Sequence, residues 1–348
     1  MLQKHFSGLF SEEKEDHLNA IVGQKRAKKD IKSALASGRH IILLGQPGIG
    51  KTTLAKSIAK LLPDQEVIDC QFHCNPESPI CPDCLSKKEK GEKLVTKMIS
   101  GEERFVRVQG SPDLSAEDLL GDIDPIKAME FGPLSVTAFT PGKIFRANNG
   151  LLFFDEVNRC PAKLQNALLQ VLEEGYATIG SYKVDFPANF IFIGTMNPND
   201  SSTEQLSHVF LDRFDIVYMG HPASSEEESK IMVDRGNKFD VAVDEKIVHF
   251  IAHFIQRVRG NDKVQRAPSV RATLGLYERA QANAMIQGKQ KVSYKHVFDA
   301  VMSVLPHRLE LKPSVKYLQS ASEFVQDQIM SFAKSQGVTD DLEESDVP

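Results

Sequence analysis

The first two thirds of the chain alternate short, mostly apolar runs with amphipathic stretches. The runs are bounded by polar or turn-forming residues, which is typical of buried strands. They lie at 41–44, 105–108, 151–154, 190–193 and 215–218. Between them apolar residues recur at helical spacing, as at Ala27, Ile31 and Leu35. The predicted helices of this part end near Ser37, span 52–62 and run from Pro161 to Gly175. This alternation predicts an α/β domain.

The strand signal ends after Pro222, and the remaining sequence has the periodicity of helices. We expect helices at about 225–235, 244–258, 269–287, 293–304 and 314–334. The chain is therefore predicted to divide into a polar, loose lead-in at 1–18, an α/β domain at 19–221, an all-helical domain at 222–335 and a disordered acidic tail at 336–348. Within the α/β domain, residues 64–101 are rich in cysteine, proline and charge, and they read as a surface insertion.

Composition and charge narrow the class of protein. The chain has 348 residues, 26% of them charged, as in ordinary globular proteins. Its net charge of −5 gives no support for a nucleic-acid-binding surface. No uninterrupted apolar stretch approaches the ~18 residues that span a membrane. The first residues are followed by charge rather than by an apolar core, so we expect no secretion signal, and a cytoplasmic protein with reduced cysteines.

The first stretch with clear chemistry follows the first predicted strand. It has the pattern G-x-x-x-x-G-K-[ST] of a phosphate-binding loop, set between a strand and a helix. Glycines let backbone N–H groups close around phosphate oxygens. Lys51 would reach the β- and γ-phosphates, and the hydroxyl of Thr52 would hold Mg²⁺. The loop comprises Gly45, Gln46, Pro47, Gly48, Ile49, Gly50, Lys51, Thr52 and Thr53. The alternative, a chance glycine turn, does not explain the flanking strand and helix.

Polar residues at the ends of two later strands would complete a nucleotide site. Asp155 and Glu156 follow a buried strand, about a hundred residues after the loop. The aspartate would hold Mg²⁺, and the glutamate would orient and polarise an attacking water. Asn197 follows the next strand, where an amide could position the same water or touch the γ-phosphate. Taken alone, each of these residues would be a solvated strand end or a turn residue.

Two arginines are candidates for contact with the transferred phosphoryl group. Arg213 lies just before the fifth predicted strand, and Arg271 lies at the start of a helix in the second domain. The guanidinium group is planar and always charged, which suits the charge that develops in phosphoryl transfer. The simpler interpretation of either residue is a surface ion pair.

Four of the five cysteines form a separate cluster with the spacing C-x₃-C-x₆-C-x₂-C. Four thiolates suit tetrahedral Zn²⁺, and the short spacing favours a small structural site. Iron–sulfur ligation is the competing interpretation, and His73 could replace one thiolate. Four unligated thiols are the simplest alternative. The cluster consists of Cys70, Cys74, Cys81 and Cys84. Cys160 stands apart and reads as a packed core residue.

As a set, these motifs resemble the AAA+ ATPases, and more narrowly the clade that holds the ATPase subunit (subunit I) of magnesium chelatase and the MoxR-type ATPases. The resemblance runs from about Ile21 to about Arg308. It rests on the motif Val22, Gly23 and Gln24, the phosphate loop, and the segments 141–150, 155–159, 194–198, 211–215 and 305–309. It implies a P-loop core with a parallel sheet of strand order 5-1-4-3-2, a helical lid, and β-hairpin insertions at about 122–145 and 177–188.

The resemblance also implies roles for single residues and an assembly. Asn197 would be the sensor-1 residue, Arg213 an arginine finger that acts on a neighbouring subunit, and Arg271 the sensor-2 residue. Val22 and Gly23 would join the loop in binding nucleotide. Such proteins form ATP-dependent rings, commonly hexamers, and use Mg²⁺-dependent ATP hydrolysis to remodel a partner protein. Here the partner would be a chelatase-like or von Willebrand-type subunit.

Some alternatives stay open at this point. The segments 155–158 and 194–198 are more similar to the chelatase subunit, whereas the segment 159–169 is more similar to MoxR-type chaperones. The cysteine insertion departs from the commonest chelatase sequences. A DNA-translocating motor of the same clade is the alternative from another class, and the acidic balance argues against it. A Lon-like protease would need a protease domain after the lid.

Overall fold

The computed structural model describes residues 2–11, 16–70, 72–132, 138–178, 185–197 and 206–339. The chain divides into two compact units that are not simply consecutive in sequence. The first unit contains Met1–Ile21, Lys25–Gly45 and Gly50–Met219, and the second contains Val22–Gln24, Gln46–Ile49 and Gly220–Pro348. The middle of the phosphate loop therefore packs with the C-terminal part of the chain.

The first unit holds all the strands of the large sheet and the helices between them. Its helices are α1 (Leu2–Ser11), α2 (Lys25–Ala36), α3 (Lys51–Lys60), α4 (Pro82–Glu89), α5 (Ala116–Leu120), α6 (Pro125–Phe131), α7 (Lys143–Arg146), α8 (Ala162–Glu174) and α9 (His208–Leu211). Its strands are β1 (His40–Leu44), β2 (Gln65–Ile68), β3 (Thr96–Ile99), β4 (Phe105–Gln109), β5 (Gly121–Ile123), β6 (Phe139–Pro141), β7 (Leu151–Asp155), β8 (Tyr176–Thr178), β9 (Asp185–Pro187), β10 (Ile191–Met196) and β11 (Phe214–Tyr218).

The large sheet has five parallel strands in the order β11-β1-β10-β7-β4. Numbered along the chain, this is the predicted order 5-1-4-3-2, which is confirmed. Strand β7, which lies next to the central strand β10, is apolar on both faces, and Leu151–Phe154 are fully buried. Helices cover both faces of such sheets, which is why the core strands read as continuous apolar runs. Ring stacking of Phe154 on Phe192, at 5.9 Å between centroids, joins β7 to β10.

The N-terminal segment is more regular than the sequence suggested. We expected a loose lead-in over 1–18, but Leu2–Ser11 form helix α1. Phe6 is fully buried and stacks on Phe10, with their ring centroids 5.5 Å apart. The polar composition hid this helix, because one buried aromatic ring is enough to hold a short amphipathic segment on the neighbouring helix α2.

The insertions of the first unit are two-stranded ribbons. In the cysteine-rich insertion, β2 pairs antiparallel with β3, with α4 between them. The predicted β-hairpin insertion at about 122–145 contains the β5–β6 pair. It also contains helices α6 and α7, which the sequence did not predict. Asp124 caps α6 by accepting hydrogen bonds from two backbone N–H groups, and this explains the unexpected helix. The second predicted hairpin appears as the β8–β9 pair, and its turn lies outside the described residues.

The second unit is mainly helical, as predicted, with one small antiparallel strand pair. Its helices are α10 (Ser225–Arg235), α11 (Glu245–Arg259), α12 (Val270–Ile286), α13 (Tyr294–Val304), α14 (Pro313–Lys316) and α15 (Ala321–Gln336), and its strands are β12 (Val264–Arg266) and β13 (Glu310–Leu311). The single helix predicted at 314–334 is wrong. Ser320 and Glu323 form a capping box that begins α15 separately from α14. Most of the predicted acidic tail, residues 340–348, lies outside the described residues.

Candidate functional site

The phosphate loop begins where β1 ends, at an edge of the sheet where other polar residues meet. The N–H of Gly45 donates to the carbonyl of Met196, at 3.2 Å, which ties the loop to the end of β10. Gly50 caps α3 in the left-handed region, with φ of 97°. Lys51 is the first residue of that helix, and its Nζ donates to the carbonyl of Gly45 at 2.6 Å. Lys51 is therefore folded back over the loop rather than extended into solvent.

Thr52 and Thr53 follow in the first turn of α3, where backbone N–H groups are free of helical partners. A helix N-terminus with such groups attracts anions. The first unit thus supplies Gly45, Gly50 and the first residues of α3 to the loop. These residues fit the phosphate-binding role that the sequence predicts.

Asp155 closes β7 and is held on both carboxylate oxygens. The hydroxyl of Thr195 donates to Oδ1 at 2.7 Å, and Arg107 Nη2 donates to Oδ2 at 2.6 Å. Thr195 is almost fully buried and also accepts the N–H of Glu156 at 2.9 Å. One threonine therefore fixes both members of the acidic pair. Thr195 and Arg107 have no role that the sequence alone predicts, because their partner Asp155 lies on a neighbouring strand.

Glu156 lies directly after β7 in a left-handed backbone conformation, with φ of 56°. Its Oε2 accepts a hydrogen bond from Gln109 Nε2 at 2.9 Å and lies 3.4 Å from Nη1 of Arg159. The backbone of Glu156 passes so close to Gly110 that a Cβ there would lie 2.1 Å from its carbonyl oxygen. The glycine at 110 is therefore required for this approach. The carboxylate is held in place by donors that the sequence alone did not reveal.

Asn197 comes directly after β10, and its side chain is half-buried. Met196, the residue before it, is paired with Leu44 at the end of β1. Asp155 ends the strand on the other side of β10. Because the carboxyl ends of parallel strands share one sheet edge, Gly45 at the start of the loop, the acidic pair and Asn197 meet there, as in other open α/β folds.

Arg213 lies between α9 and β11 and makes contacts within the first unit. Its Nη2 is 3.1 Å from Oε2 of Glu173, and its Nη1 donates to the carbonyl of Val209 at 3.2 Å. The side chain is about one-third exposed, and that of Glu173 is mostly exposed. The structure therefore contains the surface ion pair that was the simpler interpretation of Arg213. Such a pair contributes little stability, so Arg213 can separate from Glu173 at a small cost in free energy.

In the second unit, Arg271 lies beside the middle of the phosphate loop. A Cβ on Gly48 would come within 3.1 Å of Arg271 Cγ and Cδ, and within 2.7 Å of Ser269 Oγ. Gly48 has φ of 80°, a conformation that favours glycine. The structure therefore brings Gly48 and Arg271 together, although they are more than two hundred residues apart in the sequence. The rest of this part of the loop consists of Gln46, Pro47 and Ile49.

The motif at Val22 and Gly23 also belongs to the second unit. Gly23 has φ of 66°, and the carboxylate of Glu227 lies against it, since a Cβ there would be 2.4 Å from Oε2. Gln24 donates from Nε2 to the carbonyl of Gly220 at 2.6 Å. This motif is thereby fixed to the segment that leads into α10. Glu227 is a further residue that the sequence analysis did not single out.

The four clustered cysteines converge as predicted. Their Sγ atoms all lie within 4.8 Å of one another, and three of the four residues are buried. Backbone N–H groups point at the sulfurs: those of Ile80 and Cys81 donate to Cys74 Sγ at 3.4 and 3.3 Å. N–H donors to sulfur stabilise thiolates, and four thiolates are the donor set of a structural Zn²⁺ site. The arrangement can hold a tetrahedral metal ion.

The neighbouring candidates do not join this cluster. Within the described residues, the metal-compatible group contains the four cysteines and not His73. Burial raises the pKa of the Cys84 thiol, so four thiolates at this place need a cation. Cys160 is buried elsewhere, and burial raises its pKa to about 11, consistent with a packed and unreactive residue.

Within the described part of the chain, every helix is too short or too polar to cross a bilayer.

Three family profiles match successive parts of the chain. The profile for magnesium chelatase, subunit ChlI, matches residues 17–73. The profile of the ATPase family associated with various cellular activities matches 84–216, and that of the AAA lid domain matches 264–328. The matched ranges include the phosphate loop, the acidic pair and the helix that carries Arg271.

Two relatives and one solved structure align with most of the chain. The magnesium-chelatase subunit ChlI homolog of Methanocaldococcus jannaschii is 27% identical over 324 residues, which cover 84% of this chain and 85% of that protein. The uncharacterized protein YeaC of Bacillus subtilis is 27% identical over 346 residues, 92% of each chain. A structure of the complex between subunits BchI and BchD of magnesium chelatase aligns with 86% of this chain and 97% of its own, at 22% identity and a TM-score of 0.49.

The strand order, the phosphate loop and the matched profiles agree on one class: the chain has the fold of the P-loop AAA+ ATPases and is similar to them in sequence. Among these, it is related to the ATPase subunit of magnesium chelatase, subunit I.

Proposed function

We propose that this protein hydrolyses ATP with Mg²⁺ and uses the reaction to remodel a partner protein in a magnesium-chelatase-like metal insertion. The observation that carries the proposal is the convergence at one sheet edge of the loop after β1, Asp155 and Glu156 after β7, and Asn197 after β10. The relatives named as magnesium-chelatase subunits support the choice of partner class.

The residues of the first unit divide the work of phosphoryl transfer. Lys51 neutralises the β- and γ-phosphates, and backbone N–H groups at the start of α3 bind their oxygens. Thr52 and Asp155 would hold Mg²⁺, which when bound neutralises charge on the phosphates. Glu156 accepts a proton from the attacking water and orients it, while Asn197 fixes the water from the next strand. In-line attack by the water on the γ-phosphorus then breaks the bond to the β–γ bridging oxygen, so phosphate forms and ADP leaves.

Two arginines complete the proposed machinery. Arg271 contacts the nucleotide from beside Gly48, where the structure holds its stem. Arg213 acts as an arginine finger on the nucleotide of a neighbouring subunit, in a ring that we propose to be a hexamer. Its guanidinium must leave Glu173 to do so, and an exposed ion pair costs little to break. The ring's protein partner would be a chelatase-like or von Willebrand-type subunit.

We also propose that the four cysteines hold one structural Zn²⁺. The convergence of four Sγ atoms supports this proposal, and the N–H donors to sulfur are typical of such sites. The four Sγ atoms lie within 4.8 Å of one another, and this closeness suits one ion bonded at about 2.3 Å better than a cluster with several irons. A cytoplasmic location, where thiols stay reduced, belongs to the same proposal.

The proposal is tested by ATP hydrolysis and by partner capture. Lys51→Ala should lose most ATP affinity, whereas Glu156→Gln should bind ATP but not turn it over, because an amide cannot act as a base. Binding of a fluorescent ATP analogue and release of phosphate separate these effects. Normal turnover by Glu156→Gln would remove that residue from the mechanism. Copurification of the untagged partner would test the chelatase assignment, and a partner unrelated to chelatases would overturn it.

A further inference from the structure

A buried ion pair joins two helices of the second unit. Arg259 ends α11 and Glu228 lies in the first half of α10. Nη1 of the arginine is 2.5 Å from Oε2 of the glutamate, and Nη2 is 2.9 Å from Oε1. The two side chains are 6% and 0% exposed. Removing two charges from water is costly, and a bidentate pair of this kind is weak evidence for a purely stabilising role.

The remaining polar groups of this pair bind both flanks of one helical turn. Arg259 Nε donates to the carbonyl of Pro268 at 2.8 Å, just before α12. The hydroxyl of Thr273, inside α12, donates to Oε1 of Glu228. Thr273 is fully buried. The ion pair therefore holds the chain on each side of the first turn of α12.

That turn carries the residues that touch the phosphate loop. Ser269 and Arg271 lie between the two anchored positions, and both pack against Gly48. The contact is so close that even a methyl group on Gly48 would collide with Ser269 Oγ, at 2.7 Å. A shift of this turn by about 1 Å would therefore either separate Arg271 from Gly48 or push the two together. Catalytic geometry is sensitive to displacements of this size.

The residue before Glu228 performs a matching task on the same helix. Glu227 accepts the N–H of Ala223 at 2.9 Å, and its carboxylate lies against the backbone of Gly23. Consecutive glutamates at the start of α10 thus contact the motif at 22–24 and, through Arg259, the first turn of α12. Both segments are expected to contact nucleotide.

We propose that Glu228, Arg259 and Thr273 are positioning residues that place Arg271 on the nucleotide. This proposal rests on the proposed role of Arg271 in ATP binding. The three side chains touch no phosphate themselves, and they act by fixing the turn from which Arg271 extends. Loss of the network should therefore change the same kinetic constants as loss of Arg271, and by no more.

The test compares a paired replacement with Arg271→Ala in the full chain. Glu228→Leu with Arg259→Met removes both charges at once and leaves no unpaired ion, so the fold should survive. We expect the KM for ATP to rise about tenfold, because this change corresponds to the loss of one charge-assisted hydrogen bond to the nucleotide. The change in kcat should be smaller. Adding the pair to Arg271→Ala should cause no further rise above the KM of Arg271→Ala alone, because coupled residues are non-additive. Affinity for a fluorescent ATP analogue gives the same comparison without turnover.

Controls separate positioning from stability. Lys291→Met removes an exposed ion pair with Asp244 in the same unit and should leave the KM unchanged. If the paired replacement does not fold, Thr273→Val should raise the KM and Thr273→Ser, which keeps the hydroxyl, should restore it. Additive effects of the network and Arg271 would overturn the proposal, as would a folded paired variant with parental KM. If Lys51→Ala weakens ATP binding but Arg271→Ala has no effect, the positioning proposal is overturned, whereas the proposed role of the phosphate loop in ATP binding still stands.

Discussion

Gln109 Nε2 donates a hydrogen bond to Oε2 of Glu156, at 2.9 Å, across two neighbouring strands of the large sheet. The register places Gln109 opposite Asp155, so its side chain reaches the residue that follows. Arg159 lies 3.4 Å from the same oxygen. One oxygen of the proposed catalytic base is therefore held by a hydrogen bond and an ion pair.

Removing the amide at position 109 should impair turnover more than binding. Gln109→Leu is expected to lower kcat about tenfold, since a hydrogen bond to a charged group contributes about 1.5 kcal/mol to orientation. The KM for ATP should stay within twofold of the parent, because Gln109 lies on the side of the base and not in the phosphate loop. Steady-state kinetics measures both constants. A raised kcat would show that the hydrogen bond restrains Glu156 rather than orients it.

Arg213 should act on the nucleotide of a neighbouring subunit. Arg213→Ala is expected to bind ATP but to hydrolyse it poorly, by a factor of roughly 10³–10⁵ for an arginine finger. Glu156→Gln is inactive for a different reason, the loss of its own base. Mixing the two inactive variants should restore part of the activity, because some interfaces pair an intact Glu156 with an intact Arg213. No recovery in a demonstrably mixed assembly would contradict action between subunits.

The ion pair with Glu173 allows a second, independent test of Arg213. Glu173→Gln removes the charge that holds the guanidinium at 3.1 Å but leaves Arg213 itself in place. If Arg213 is a finger, this variant should retain at least parental ATP hydrolysis, because the arginine is released. If Arg213 serves only the ion pair, Glu173→Gln should be as defective as Arg213→Ala. Phosphate release by the two variants, measured side by side, decides between these roles.

The cysteine cluster should bind close to one metal ion per chain. Elemental analysis of protein purified without added metal is expected to show Zn²⁺, and an iron–sulfur chromophore would identify the competing metal. Chelation should loosen residues 70–84 and leave ATP affinity largely unchanged, because the segment lies outside the phosphate loop. Cys74→Ser should lose the metal, whereas Cys160→Ser is the matched control that keeps it. A folded, metal-free protein with four titratable thiols would end the hypothesis.

Acid should destabilise the first unit through His40. Burial lowers the pKa of this histidine to about 4, and its Nδ1 accepts the N–H of Phe192 at 3.1 Å. The unfolded chain binds the proton with a pKa near 6.5, so the folded state loses stability as pH falls from about 6.5 to about 4. The slope should approach ~1.4 kcal/mol per pH unit.

Urea unfolding between pH 7 and pH 4.5 measures this slope. His40→Asn keeps an acceptor for the Phe192 N–H but cannot titrate, so its stability should depend less on pH. Equal pH dependence in the two proteins would assign the acid sensitivity to other groups.

The local pattern of the chain was sufficient for the core elements and for the chemistry of single residues. Continuous apolar runs predicted the three inner strands β1, β7 and β10, since a strand buried on both faces must be apolar throughout. Mostly apolar runs predicted the two edge strands, β4 and β11. The loop pattern, the acidic pair and the four cysteines were visible because each depends on residues close together in sequence. The order of the strands came from the family resemblance rather than from periodicity.

The partners of these residues depended on the tertiary structure. Three contacts join different strands or helices. They are the hydrogen bonds of Thr195 to Asp155 and of Gln109 to Glu156, and the ion pair of Glu173 with Arg213. Strand register and helix packing decide such pairs, and a register shift of one residue would turn each side chain to the other face. The helix at Leu2–Ser11 has the same cause, since burial of Phe6 and not the polar composition determines its conformation. Local sequence thus determined which groups are present, and long-range packing decided which of them meet.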